Sequence, residues 1–193
     1  MQRLKISMKG LDAAANFVPY TFGGLNWQRF LYDYTLDADN TPYTQEILVG
    51  TTTSVTQVNI GNKKFIYPLP IKHVTVIDGV MRGFVKIKFK TDNASYKAYL
   101  EKIAIAVKAV DSDGTERTIE THSISVSLDT ISTTGETKSI PFFFDIENQE
   151  LQYNERIVIQ ITLYGKVASG GTGTYYLNCE INKEDLLVIV PIV

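Results

Sequence analysis

The stretch that decides the fold runs from Tyr153 to Gly165 and reads YNERIVIQITLYG. Apolar residues occupy every second position in it, namely Ile157, Ile159, Ile161 and Leu163. A period of two is typical of a β-strand with one buried face. The other face also carries bulky side chains, Val158 and Tyr164. We therefore predict a strand in the middle of a sheet, covered fully on one face and partly on the other.

The composition limits the broad class of protein. A chain of 193 residues suits one domain with an arm or insertion to spare, and a net charge of -2 gives no overall field that would attract nucleic acid or an acidic membrane. The single cysteine excludes an internal disulfide and allows folding in a reducing cytoplasm. Without a signal-like or membrane-spanning apolar run, we expect a soluble protein with no membrane contact.

The N-terminal part of the chain differs from the rest. Residues 3–9 alternate like a short strand, whereas residues 10–43 lack a clear period and are dense in aromatics that need a surface to pack against. We predict an N-terminal strand and aromatic arm over residues 1–43 and a β-sandwich domain over residues 44–193. The arm is predicted to pack on a neighbouring subunit through Phe17, Tyr20, Phe22, Trp27, Phe30, Tyr32 and Tyr34. Alternatively, it covers the open face of its own sandwich.

Three glycine-containing turns predict hairpins. Asp78-Gly79 is the two-residue signal for a tight turn, and Gly61-Asn62 indicates a smaller hairpin. The loop Asp111–Gly114 predicts a third, with a bulge near Thr121 in its return strand. In the register set by Asp78-Gly79, the lysines lie on one face and the core face carries Val74, Val76, Met81, Val85, Ile87 and Phe89.

Apolar residues alternate again in residues 140–146, 175–181 and 186–193, which predicts three further strands. Cys179 shares parity with Tyr175, Leu177 and Ile181 and is expected to be a buried packing residue. Roughly nine to eleven short strands and no long helix are typical of an antiparallel sandwich or barrel. The predicted fold is all-β: an antiparallel β-sandwich of jelly-roll or related Greek-key type with an N-terminal aromatic arm.

No residue is predicted to be catalytic, to bind a cofactor or to ligate a metal. Asp37 and Asp111 each begin like a calcium loop, but neither is followed by the required Gly and Glu, so turn chemistry is favoured. His73 is expected on a solvated face and His122 at the edge of an inner face, with few partners for catalysis. We therefore expect the protein not to be an enzyme.

Lys86, Lys88 and Lys90 form a basic stripe that could follow a phosphate backbone. Such a row is more often the solvated face of a sheet, where lysines discourage aggregation. Basic and aromatic residues are not interleaved there as a single-strand groove requires. Nucleic acid is thus not expected as a partner, and the stripe remains a weak alternative.

Two blocks of the chain, IPFFFDIENQELQYNERIVIQITLYG (Ile140–Gly165) and VIDGVMRGFVKIKFK (Val76–Lys90), resemble small all-β virion proteins of tailed viruses. The resemblance covers residues 70–193 and lies in strand lengths, Thr/Ser-rich loops and an aromatic N-terminal arm. It implies a capsid decoration, head-to-tail connector or tail component that folds in the host cytoplasm and resides in the virion. Its implied partners are other copies of itself and other virion proteins.

A carbohydrate- or receptor-binding sandwich is the alternative. Such a module would use exposed aromatics, for which Tyr164, Tyr176 and Trp27 are candidates. Glycan binding by an isolated, monodisperse protein would favour this class. An enzyme would instead need a pocket in which His122 meets two carboxylates.

Overall fold

The computed structural model describes residues 48–67, 70–168, 175–181 and 186–191, together with the backbone of three short strands before residue 34. This part of the chain contains strands and no helix, so the all-β prediction is confirmed. Accordingly, it offers no helix able to cross a membrane. In chain order the strands are β1 (Thr21–Phe22), β2 (Leu25–Gln28), β3 (Tyr32–Asp33), β4 (Leu48–Thr52), β5 (Val58–Ile66), β6 (Thr75–Thr91), β7 (Ala98–Val110), β8 (Glu116–Thr130), β9 (Glu136–Leu151), β10 (Arg156–Val167), β11 (Leu177–Glu180) and β12 (Leu186–Val190).

The long strand β6 connects the parts of the sheet. One of its edges pairs with β9, and the other pairs first with β12 and then with β11. From β11 the sheet continues through β4, β5, β10, β7 and β8, and from β12 through β2 and β1, while β3 pairs with β5. Every pairing among the described strands is antiparallel, and the apolar side chains of β6, β9 and β12 form one buried cluster with those of β5, β10 and β7. The sheet is thus curled over a single core, consistent with a sandwich of jelly-roll type.

The central-strand prediction is confirmed by β10. This strand pairs with β5 on one side and with β7 on the other. Its core face is fully buried, and on the opposite face Val158 is buried while Gln160 and Tyr164 are half-buried. The alternation in the sequence therefore correctly predicts which face of β10 is buried and that the strand lies in the interior of the sheet.

The hairpin predicted at Asp78-Gly79 is wrong, because β6 runs through these residues without turning. Gly79 has a positive φ of 115° and lies at a register shift against β9, so the Asp-Gly pair forms a bulge. The bulge changes the parity of the strand. Ile77 is consequently buried, while Val74 is 58% exposed and Val76 is half-buried. The remaining predicted core residues are buried, namely Met81, Val85, Ile87 and Phe89.

The small hairpin predicted at Gly61-Asn62 is also wrong, because both residues lie inside β5. Gly61 is instead the partner of Gly50 in β4. A Cβ atom on Gly50 would lie 2.1 Å from the Ile60 carbonyl oxygen, and one on Gly61 would lie 2.3 Å from the Val49 carbonyl oxygen. The two glycines therefore allow close approach of two strands, which is the other common use of glycine in a sheet.

The third predicted hairpin is confirmed by β7 and β8. In its loop, Asp111 Oδ1 accepts hydrogen bonds from the amides of Asp113 and Thr115, and Gly114 has a φ of 90°. The carboxylates thus form the turn, as predicted in place of a calcium loop. Ile119 is the extra residue at a register shift between Val107 and Lys108, so a bulge lies two residues before Thr121; a second register shift lies between Leu100 and Lys102.

A polar network ties the start of β8 to the loop between β9 and β10. The Arg117 guanidinium donates to both carboxylate oxygens of Glu155, at 2.8 and 2.7 Å, and to the Glu150 carbonyl oxygen. The Gln152 amide also donates to Glu155, at 2.7 Å. Burial raises the pKa of Glu155, but the bonds from Arg117 and Gln152 outweigh burial and hold that pKa below its usual value.

The substitution Glu155→Gln should lower the free energy of unfolding at neutral pH by about 2 kcal/mol, because charge-assisted hydrogen bonds are lost. Since the folded-state pKa of Glu155 is depressed, its contribution is present above the unfolded-state pKa and disappears as pH falls through the folded-state value. Denaturant titrations at neutral and acidic pH measure both effects, and the variant should show the weaker pH dependence. Glu120→Gln, which can keep the local hydrogen bond from the Thr121 amide, is the control. Equal losses in the two variants would contradict this role for Glu155.

Cys179 is buried in β11, as predicted from its parity with Leu177 and Ile181. Burial, reinforced by the charge of Glu180, raises the pKa of the Cys179 thiol to about 12. The thiol is therefore both shielded and protonated at neutral pH.

A thiol reagent should react with Cys179 in the folded protein at least about tenfold more slowly than with the denatured chain. Absorbance-based labelling with and without denaturant measures the two rates directly, since the chain has a single cysteine. Rapid stoichiometric labelling under native conditions would show that β11 does not hold this side chain in the core.

Candidate functional site: an apolar groove on the outer sheet face

Three consecutive phenylalanines in β9 cannot all face the core. Because side chains alternate along a strand, Phe142 and Phe144 point inward and are buried, while Phe143 points outward. Phe143 is 75% exposed, the highest value among the exposed large hydrophobic residues of the described chain. A phenylalanine this exposed is a candidate contact for another molecule, particularly if other apolar residues surround it.

Phe143 lies beside a groove on the outer face of the layer formed by β9, β6 and β12. The groove has a volume of about 500 Å³ and is open to solvent. Its lining, called here the outer groove, consists of Val80, Arg82, Gly83, Phe84, Phe142, Phe143, Leu187 and Ile189. All of these except Arg82 are apolar. The outer groove is therefore suited to apolar side chains.

Gly83 brings two of these strands close together. A Cβ atom on Gly83 would lie 2.0 Å from the Leu187 carbonyl oxygen and 2.8 Å from Phe142 Cζ. Any larger residue would therefore push β12 away from β6 and displace the Phe142 ring. The shape of the outer groove depends on this glycine.

The predicted arm anchors fall only partly within the described residues. Phe17, Tyr20, Phe30 and Tyr34 lie outside them, while Phe22, Trp27 and Tyr32 lie in β1, β2 and β3 and are described by backbone alone. Trp27 is the register partner of Ile189, and Tyr32 is the partner of Ile66. Strand β2 thus borders the outer groove through β12. Whether the arm's side chains pack on a neighbouring subunit stays a prediction.

Next to the outer groove, the predicted lysine stripe lies on the outward face of β6. Lys88 and Lys90 form ion pairs with Glu180 of β11, at 3.3 and 3.5 Å. Lys86 Nζ lies 6.0 Å from the centre of the Phe84 ring. The carboxylate of Glu180 therefore offsets part of the positive charge of the stripe, and nucleic-acid contact at these residues remains a weak alternative.

The titratable groups are dispersed over the described surface. His73 precedes β6 and is exposed, in agreement with the predicted solvated position, and His122 is half-buried with its ring stacked on Phe144 at a centroid distance of 4.9 Å. In the described residues, no group of three or more His, Cys, Asp or Glu side chains is placed to hold a metal ion. The His122 ring thus packs across the two edge strands β8 and β9.

The three aromatics considered for carbohydrate binding have different surroundings. Tyr164 lies under Lys102, whose Nζ is 3.8 Å from the ring centre, and Tyr176 is 40% exposed. Of Trp27 only the backbone position in β2 is described. The ring of Tyr164 is therefore already engaged on one face by a cation.

No protein-family model and no curated protein matches this sequence. Among solved structures, an α-amino acid ester hydrolase has a TM-score of 0.46 at 11% identity over 68% of this chain and 25% of that one. An aminopeptidase from a marine sediment Thaumarchaeota archaeon has a TM-score of 0.47 at 9% identity over 84% of this chain and 36% of that one.

A weaker similarity links the chain to a viral structure. A chain of infectious bursal disease virus, Gt strain, has a TM-score of 0.28 at 16% identity, over 89% of this chain and 40% of that one. The present chain therefore spans less than half the length of each of these three solved chains. Because all three TM-scores are below 0.5, we draw no functional conclusion from these similarities.

Phe143 was not among the predicted site residues, although its signal is present in the sequence. A run of three phenylalanines inside an alternating strand must expose the middle one. Leu187 and Ile189 could not be placed beside it from sequence, because that requires knowing that β12 pairs with β6. The outer groove is thus a product of sheet topology.

Proposed function

We propose that this chain is a non-enzymatic structural protein of a virion that acts through protein–protein contacts, as a capsid decoration, head-to-tail connector or tail component. The observation that carries the assembly role is the outer groove, in which Phe143 is 75% exposed beside Val80 and Phe84. Exposed aromatics that border an apolar depression are typical anchors of protein interfaces. The virion setting rests on the resemblance in sequence style.

The chemistry of the described surface agrees with this role. Arg117 and Glu155 bind each other through two hydrogen bonds and join β8 to the loop before β10, where the Gln152 amide also donates to Glu155. The ion pairs of Lys88 and Lys90 with Glu180 likewise connect neighbouring strands. These charged groups stabilise the sheet, which leaves the apolar groove as the surface best suited to a partner.

The substitution Phe143→Ser should weaken self-association about tenfold or more, because an exposed aromatic anchor is removed without opening a cavity in the core. Sedimentation velocity over a range of protein concentrations measures the dissociation constant, and thermal melting should show little change. Tyr153→Ser, which removes an aromatic residue that is 62% exposed elsewhere, is the matched control.

A wild-type chain that stays monomeric at every concentration would contradict assembly through copies of itself. Equal association of wild type and Phe143→Ser would show that assembly does not use the outer groove.

A further inference from the structure

Strand β9 has one free edge among the described residues. It pairs with β6 from Thr75↔Leu151 to Phe89↔Glu136 and has no second partner strand. Apart from the Glu150 carbonyl oxygen, which accepts a hydrogen bond from Arg117 of β8, this edge has no partner among the described strands and forms a template for an added strand. Pro141 lies within β9, as expected for a strand that needs hydrogen bonds on one side only.

The outward face of β9 changes from apolar to acidic along the strand. After Phe143 come Asp145 and Glu147, both exposed, at the next two outward positions. No described lysine or arginine forms an ion pair with either carboxylate. The two carboxylates are spaced by about 7 Å along the strand, since they are two residues apart.

The chain itself contains a segment with the complementary pattern. Residues 3–9 read RLKISMK, in which Leu4, Ile6 and Met8 alternate with polar positions. As a strand, this segment would have one apolar face and one face with Arg3, Lys5 and Lys9. Arg3 and Lys5 then have the same two-residue spacing as Asp145 and Glu147, so two ion pairs can form on one face.

We infer that residues 3–9 of a second copy of this chain add as a strand to the free edge of β9, with their basic face beside Asp145 and Glu147. Their apolar face then extends the inner face of the layer next to Phe144. This inference rests on the proposed assembly function and names the partner segment and its acceptor edge. Backbone hydrogen bonds supply the affinity, and the charge pattern selects the segment and its register.

The layout of the sheet favours a second copy over the same subunit. The layer has the order β9, β6, β12, β2 and β1, so β1 and β9 lie at opposite ends, about 19 Å apart at ordinary strand spacing. The outer groove, where Phe143 and Val80 are 75% and 42% exposed, lies on this same layer, so a second copy that contacts the groove also reaches the edge of β9.

Two charge-reversed variants of the full chain test this inference. The edge variant carries Asp145→Lys and Glu147→Lys, and the segment variant carries Arg3→Glu and Lys5→Glu. Each variant alone should associate at least about tenfold more weakly than wild type, because like charges meet at the added strand. Mixing them should restore association, since the acidic segment of one variant fits the basic edge of the other. Native mass spectrometry of isotope-labelled and unlabelled chains identifies the mixed complexes.

The control variant carries Asp113→Lys, in the loop between β7 and β8, and Asp129→Lys, near the end of β8; both residues are exposed, and this variant should associate like wild type. If the edge variant melts early, Asp145→Asn with Glu147→Gln replaces it and should weaken association in the same direction. Unchanged association of the edge variant, or a mixture that stays monomeric, would overturn the inference while leaving the assembly function in place. A wild-type chain that never associates would overturn both.

Discussion

Burial of one face of β10 in the single apolar core is the interaction on which the structure depends. Ile157, Ile159, Ile161 and Leu163 are fully buried in the cluster that also holds the inward residues of β6 and β9. Each fully buried aliphatic side chain contributes about 1.5–3 kcal/mol, and a one-residue register slip would expose the whole set. Strict alternation then fixes which side chains face outward. The exposure of Phe143 follows directly from the burial of Phe142 and Phe144.

Local sequence patterns predicted the strands well and their connections less well. The period of two correctly placed β9, β10 and the hairpin of β7 with β8. A strand with one buried face needs an apolar residue at every second position, and this pattern is visible within a short stretch of sequence. Asp78-Gly79 and Gly61-Asn62 were misassigned as turns. A glycine with positive φ occurs in bulges as well as in hairpin turns. Because glycine has no side chain, it also occurs where two paired strands approach each other closely. Only the partner strand distinguishes these uses.

The candidate site was predictable in its parts but not as a surface. The outward position of Phe143 and the solvated lysine stripe on β6 both follow from alternation. The groove itself requires that β12, the last strand of the chain, pairs with β6, and that Gly83 allows their close approach. Such long-range pairings leave no local signature. Among the described strands, the same topology leaves β9 with one free edge, to which we propose that the basic segment at residues 3–9 of a second copy adds.

Hydrogen–deuterium exchange at low and high protein concentration tests assembly through this layer most directly. Association should slow amide exchange in β9 and around the outer groove, because edge amides gain partners and solvent is excluded. Strand β8, the other edge, should exchange at the same rate at both concentrations. Concentration-dependent protection confined to β9 and the groove is the expected result. Equal exchange at both concentrations, or protection that appears only in β8, would contradict it.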